Sequence, residues 1–89
     1  MPIDRNQPIA DEVPWSDSLT AYDDGHLAVY LRLIKMSKAG VPDDELCRQV
    51  LGIDPAREPE RARTVLARHM KRARWMTETG YRELARRPD

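Results

Sequence analysis

A chain of 89 residues has room for one domain, which buries only somewhat more than roughly 60% of its unfolded surface, and 40% apolar residues without a single Phe supply one compact core rather than a deep ligand pocket. Fifteen basic and fifteen acidic residues cancel, and a pI near 6.7 excludes the uniformly basic kind of nucleic-acid module, whose pI exceeds about 9. The single cysteine, Cys47, excludes an internal disulfide framework, no apolar run approaches the roughly 18 residues of a membrane span, and the N-terminus lacks the pattern of a signal peptide, so a cytoplasmic protein is expected.

Pro2, Pro8 and Pro14, with few apolar residues between them, make residues 1–19 read as a flexible acidic tail, and residues 20–89 as the domain. Thr20-Ala21-Tyr22-Asp23 has the spacing of a capping box, with Asp23 and Asp24 at the positive end of a helix expected over about 23–38. At 100° per residue, Leu27, Tyr30, Leu31 and Ile34 form one apolar row of that helix, and Val29, Leu33 and Met36 a second. Either the helix is central and covered on both sides, or the second row stays partly exposed as a patch for a protein partner, a role to which Met is suited.

Gly40 stands where a left-handed C-terminal cap is wanted, and Pro42 blocks continuation. Pro42 and the acidic Asp43-Asp44-Glu45 then open a short helix expected over 43–51, with Leu46, Val50 and Leu51 inward and Gly52 as its stop. Residues 53–59 hold two prolines and read as a turn. A third helix is expected from near Pro59 to about 77, because Ala62, Val65, Leu66, His69 or Met70, Ala73 and Met76 recur at three and four residues. A last short helix over 81–87 would return Tyr81 and Leu84 to the bundle. The fold class is therefore all-α: a small helix-turn-helix-like bundle of three main helices plus a short C-terminal helix.

Chemistry-bearing constellations are incomplete. His26 and His69 have no further ligand at metal-binding spacing, Cys47 follows an acidic turn that raises rather than lowers a thiol pKa, and the four glycines form no phosphate-cradling loop. No catalysis, metal or cofactor is expected. Charge is unevenly placed, however. Residues 1–24 carry one Arg against six carboxylates, a net of −5, whereas residues 60–74 carry six basic residues against Glu60, a net of +5.

The basic helix has two readings. Arg61, Arg68, Lys71, Arg72 and Arg74 would serve as DNA contacts of a helix-turn-helix regulator, with phosphate binding as the source of affinity. Alternatively Arg68, Arg72, Arg74 and the neighbouring Trp75 join Val29, Leu33 and Met36 in a surface for a protein partner, and DNA binding is weak or absent. The acidic N-terminal residues allow a third role, screening the basic helix or mimicking phosphate toward a partner.

Three segments carry a family resemblance: Tyr22-Asp23-Asp24-Gly25-His26-Leu27-Ala28-Val29-Tyr30-Leu31-Arg32-Leu33, then Val50-Leu51-Gly52-Ile53-Asp54-Pro55, then Ala73-Arg74-Trp75-Met76-Thr77-Glu78-Thr79-Gly80-Tyr81-Arg82. Across residues 20–86 the chain resembles a proteobacterial helix-turn-helix-variant domain family found both inside FseA-type activators of conjugative transfer and as free-standing QseM-type antiactivators. A short acidic segment in place of further upstream domains favours the free-standing kind. The resemblance implies a protein that binds quorum-sensing activators of the LuxR/TraR type and FseA-type activators, and represses transfer of an integrative and conjugative element. It marks Trp75, Met76, Gly80 and Tyr81 as motif residues whose ordinary role is to fix the last helix against the core.

Overall fold

The computed structural model describes residues 9–80, and among these the fold is entirely helical, without strands. Helix α1 (Ala21–Gly25) opens with the expected capping box: Thr20 Oγ1 accepts from the Asp23 amide, and the Asp23 carboxylate accepts from the Thr20 amide at 2.9 Å. The helix expected over 23–38 is divided at His26, whose φ of −128° and ψ of 20° leave the helical region. In an unbroken helix the His26 amide would donate to the Tyr22 carbonyl. Here the imidazole Nδ1 donates to that carbonyl at 2.7 Å, and the amide goes to Asp23 instead.

Helix α2 (Leu27–Lys38) then restarts and ends in a Schellman motif: Gly40 takes φ +87°, its amide donates to Ser37, and the Val41 amide donates to Met36. Helix α3 (Asp43–Leu46) continues through a wider π-helical turn, Cys47–Leu51, and stops at Gly52 with φ +70°. Helix α4 (Pro59–Trp75) has proline at its first turn and runs into a second π-helical turn, Met76–Gly80, three residues beyond the expected end. The helix expected over 81–87 lies outside the described residues.

Among the described residues, two clusters form the core. Leu33, Leu46, Cys47, Leu51, Ile53, Ala62, Val65, Leu66 and Met70 make the larger, between α2, α3 and α4; Tyr30, Ala73 and Met76 make the smaller, against which Leu19, Tyr22, Leu27 and Trp75 pack. Ile34 touches both, so α2 is the central helix. Its two apolar rows are the halves of one buried arc about 180° wide. Leu33, expected on an exposed patch, has no exposure at all, and Val29 and Met36 are half-buried against its cluster. The exposed-patch reading of α2 is thereby corrected: α3 and α4 both pack against the helix, and Leu33 lies in the cluster they share. Leu31 is the member of the rows that faces out, at 63% exposure.

Residues 9–19 also depart from expectation. Rather than standing off as a tail, they lie along α4 as an extended strap: Ile9 packs on the larger core cluster, Leu19 on the smaller, and the Ala10 amide donates to the Tyr22 hydroxyl at 3.1 Å. Proline-rich, acidic composition signals only that a segment builds no core of its own; it does not prevent docking on a basic helix.

Candidate functional site: the faces of helix α4

With 17 residues, α4 turns a different chemistry to each side. Its inward face, Ala62, Val65, Leu66, His69 and Ala73, is core. His69 is buried without exposure; its Nδ1 donates to the Val65 carbonyl at 2.8 Å, which fixes the neutral tautomer and leaves Nε2 to accept from the Tyr22 hydroxyl at 2.5 Å. Burial pushes the His69 pKa below the usual histidine value, and His26 nearby adds to the effect, opposed by the hydrogen bond His69 donates to the Val65 carbonyl. Both histidines are thus framework groups, His26 stacking on Tyr22 with ring centroids 3.8 Å apart. Among the described residues no group of three or more His, Cys, Asp or Glu is placed to hold a metal ion.

Arg72, expected on the surface in both the protein-binding and DNA-binding readings, is fully buried. Its Nη2 donates to Asp23 Oδ2 at 2.6 Å and its Nε to Oδ1 at 3.0 Å, while Nη1 and Nη2 reach the carbonyls of Ser16 and Ser18 at 2.7 and 2.9 Å. The guanidinium lies 3.8 Å from the Trp75 ring centroid and 4.9 Å from that of Trp15. Asp23 is equally buried and also accepts from the Tyr30 hydroxyl and the Thr20 amide. Burial alone would raise its pKa, but the hydrogen bonds from Arg72, Thr20 and Tyr30 outweigh it and hold the carboxyl below its ordinary value. Tyr30 moves the other way, raised by burial and by the adjacent carboxylate. Arg72 is therefore the buried link between strap, α1 and α4, and belongs to no binding surface.

On the strap side, Arg61 donates from Nε to Asp11 Oδ1 at 3.0 Å and pairs with Glu58, while Arg68 donates to the Asp11 carbonyl at 3.0 Å with Glu12 3.9 Å away. Lys71 stands 5.1 Å from the Trp15 ring centroid. Three of the five proposed DNA contacts, Arg61, Arg68 and Arg72, are thus engaged by the chain's own acids and carbonyls.

The remaining face differs. Between α4 and the start of α3 runs an open groove of about 870 Å³, with Leu66, Ala67, Met70 and Cys47 along its floor, Arg63, Lys71, Arg74 and Trp75 on the α4 rim, and Asp43 and Asp44 opposite. Among the described residues no carboxylate pairs with Arg63 or Arg74. The Cys47 thiol donates toward the Ala62 carbonyl, and burial together with Asp44 and Asp43 pushes its pKa up.

Of the residues expected to bind a partner, Arg74 and Trp75 meet in this groove. Arg68 lies under the strap, Leu33 and Arg72 are interior, and Val29 and Met36 are half-buried, so the expected surface is not one patch. Sequence reasoning missed Arg63, Ala67 and Met70 as a groove. Their spacing of i, i+4 and i+7 was the available signal, hidden because Met70 also fits the core pattern. The chain matches no model of a known protein family and no curated protein.

Proposed function

We propose that this chain is a non-catalytic transcriptional antiactivator, binding and inhibiting activators of the LuxR/TraR and FseA types and so repressing transfer of an integrative and conjugative element. The observation that carries the protein-binding part is the division of labour on α4. Arg61, Arg68 and Arg72 are occupied internally, while Arg63, Lys71, Arg74 and Trp75 edge an open, apolar-floored groove. The occupant is an amphipathic helix of the activator, its apolar row on Leu66, Ala67 and Met70 and its acidic side chains toward the α4 rim. The carboxylates of Asp43 and Asp44 on the opposite rim fix its direction, since like charges brought together there are disfavoured. The family-specific target rests on the resemblance of the three segments given above.

Co-precipitation with a LuxR-type activator tests the surface. Ala67→Glu and the double variant Arg63→Glu/Arg74→Glu change exposed residues, and each is expected to weaken binding at least about tenfold, the equivalent of roughly 1.4 kcal/mol. Unchanged binding in both would contradict the groove assignment.

The second reading, a DNA-binding regulator, is favoured by one observation: Arg63, Lys71 and Arg74 remain exposed along α4. It requires affinity that falls with salt at a log–log slope of about −0.9 per phosphate contacted, which an apolar helix-in-groove contact does not reproduce.

A further inference from the structure

Residues 9–19 place acidic groups directly on the most basic element of the fold, and they are held there unequally along their length. At one end the strap is fixed: the buried Arg72 guanidinium binds the Ser16 and Ser18 carbonyls, and Trp15 meets Trp75 edge-on with ring centroids 6.3 Å apart. At the other, Ile9 packs on the larger core cluster and the Ala10 amide donates to Tyr22; between these points the acidic pair itself is held by exposed ion pairs, Asp11 with Arg61 and Glu12 with Arg68, of the kind that contribute little individually and are screened by salt. Arg61 and Arg68 are seven residues apart, two turns along one side of α4, and both side chains are more than two-fifths exposed.

From this arrangement we propose that Asp11 and Glu12 form a tethered phosphate mimic that occupies a latent DNA-backbone-binding face of α4, built from Arg61 and Arg68, and keeps the chain off DNA. Tethering explains how weak pairs suffice. A carboxylate anchored four residues from Trp15 competes at a high effective concentration with any free polyanion, at no cost of association entropy. Arg61 offers Nε and Nη2 to one Asp11 carboxylate oxygen, charge-assisted bonds that a phosphate oxygen would also accept, while the Asp11 carbonyl accepts from Arg68. DNA is preferred over an acidic protein because the two guanidiniums flank a shallow hollow and repeat two turns apart along one helix edge, a linear spacing of positive charge that suits a regularly charged backbone. This inference stands apart from activator binding, which uses the groove on the other side of α4.

The test is fluorescence anisotropy of the full chain with a labelled duplex of arbitrary sequence, at roughly 50 and 200 mM salt. Asp11→Asn/Glu12→Gln removes the mimic's charge; deletion of residues 1–12 removes the mimic itself and retains Trp15. Glu45→Gln/Asp54→Asn is the control, changing net charge equally by removing the exposed carboxylates that pair with Arg48, which line neither the strap face nor the groove. The N-terminal variants are expected to bind the duplex more tightly than wild type at low salt. They should also lose about tenfold more affinity between the two salt concentrations, as follows from two added phosphate contacts at a slope of −0.9 each. The control should bind as wild type does. Equal gains in all variants would reduce the effect to net charge, and no gain in the N-terminal variants would remove the latent face; either result overturns the proposal. Tighter binding of poly-glutamate without tighter binding of the duplex would assign the face to an acidic protein and overturn it as well.

Discussion

Arg72 and Asp23, 49 residues apart in the chain, form a bidentate ion pair in which neither side chain has any exposure. The pair is satisfied on every side, by Tyr30, Thr20 and the carbonyls of Ser16 and Ser18. Its worth lies in what happens when half of it is removed. A buried charge left alone costs about 3–5 kcal/mol, a large share of the total stability of a domain this size. Arg72→Met and Asp23→Asn should each lower the urea midpoint by an amount corresponding to that range. The double variant Asp23→Asn/Arg72→Met should be less destabilised than the sum of the single changes. Additive losses in a double-mutant cycle would show that the two groups act independently.

The same geometry determines how binding variants must be read. Leu33→Glu and Arg72→Glu, natural choices if these residues are taken as surface, place a carboxylate in the core. Both are expected to unfold the chain by circular dichroism, so loss of binding in either reports on folding. A folded Arg72→Glu protein with wild-type midpoint would contradict the buried assignment.

The strap is predicted to stabilise the fold as well as mask α4. Deleting residues 1–18 strips two carbonyl acceptors from a buried guanidinium and removes Trp15, and each unsatisfied buried donor costs about 1–3 kcal/mol. A drop in stability of at least about 2 kcal/mol is expected in chemical denaturation. An unchanged midpoint would mean that residues 9–18 contribute nothing to the folded state.

Acid should reveal His69. Its folded-state pKa lies below the unfolded value of about 6.5, so as pH falls the unfolded chain takes up the proton first. The stabilising contribution is complete above about pH 6.5 and is lost as pH falls through the folded-state pKa, with a slope of at most about 1.4 kcal/mol per pH unit. Asp23 has the same sign, but its loss begins only below the ordinary carboxylate range, near pH 4. Stability measured from pH 7.5 to 5 should therefore decline in wild type and decline less in His69→Gln. Identical slopes would remove His69 as the cause.

Gly80 is required by close approach rather than by backbone angle. A Cβ there would stand 2.6 Å from the Trp75 ring and 2.9 Å from the Met76 sulfur, so Gly80→Ala must displace the ring that lies over Arg72. A loss of about 1–3 kcal/mol is expected from such overpacking, with a change in the near-ultraviolet tryptophan signal. A neutral effect on both would show that the turn at 76–80 yields freely.

Much of the fold is legible in local chemistry. The Thr20 box, the stops at Gly40 and Gly52 and the proline start of α4 each follow from residues within a few positions of one another, and all appear where the spacing places them. What local reading missed depends on distant partners. Nothing near Arg72 distinguishes it from Arg68 or Arg74; its burial is decided by Asp23 and by two strap carbonyls more than 50 positions away. His26 breaks a helix through a side-chain bond that competes with its own amide, which composition does not register. The groove was hidden for a related reason, since α4 is amphipathic in three directions and a two-way division into core and solvent merges its strap and groove faces.

On the proposed reading, α4 meets a protein through its groove while its other basic face is held closed. Amide NMR titration of labelled full-length chain, with a LuxR-type activator and separately with a promoter duplex at physiological salt, tests it most directly. Shifts are expected at Arg63, Ala67, Met70 and Arg74 and along the start of α3 with the activator, and none with the duplex; salt-sensitive shifts along α4 with the duplex and none with the activator would contradict this reading and make the chain a DNA-binding regulator.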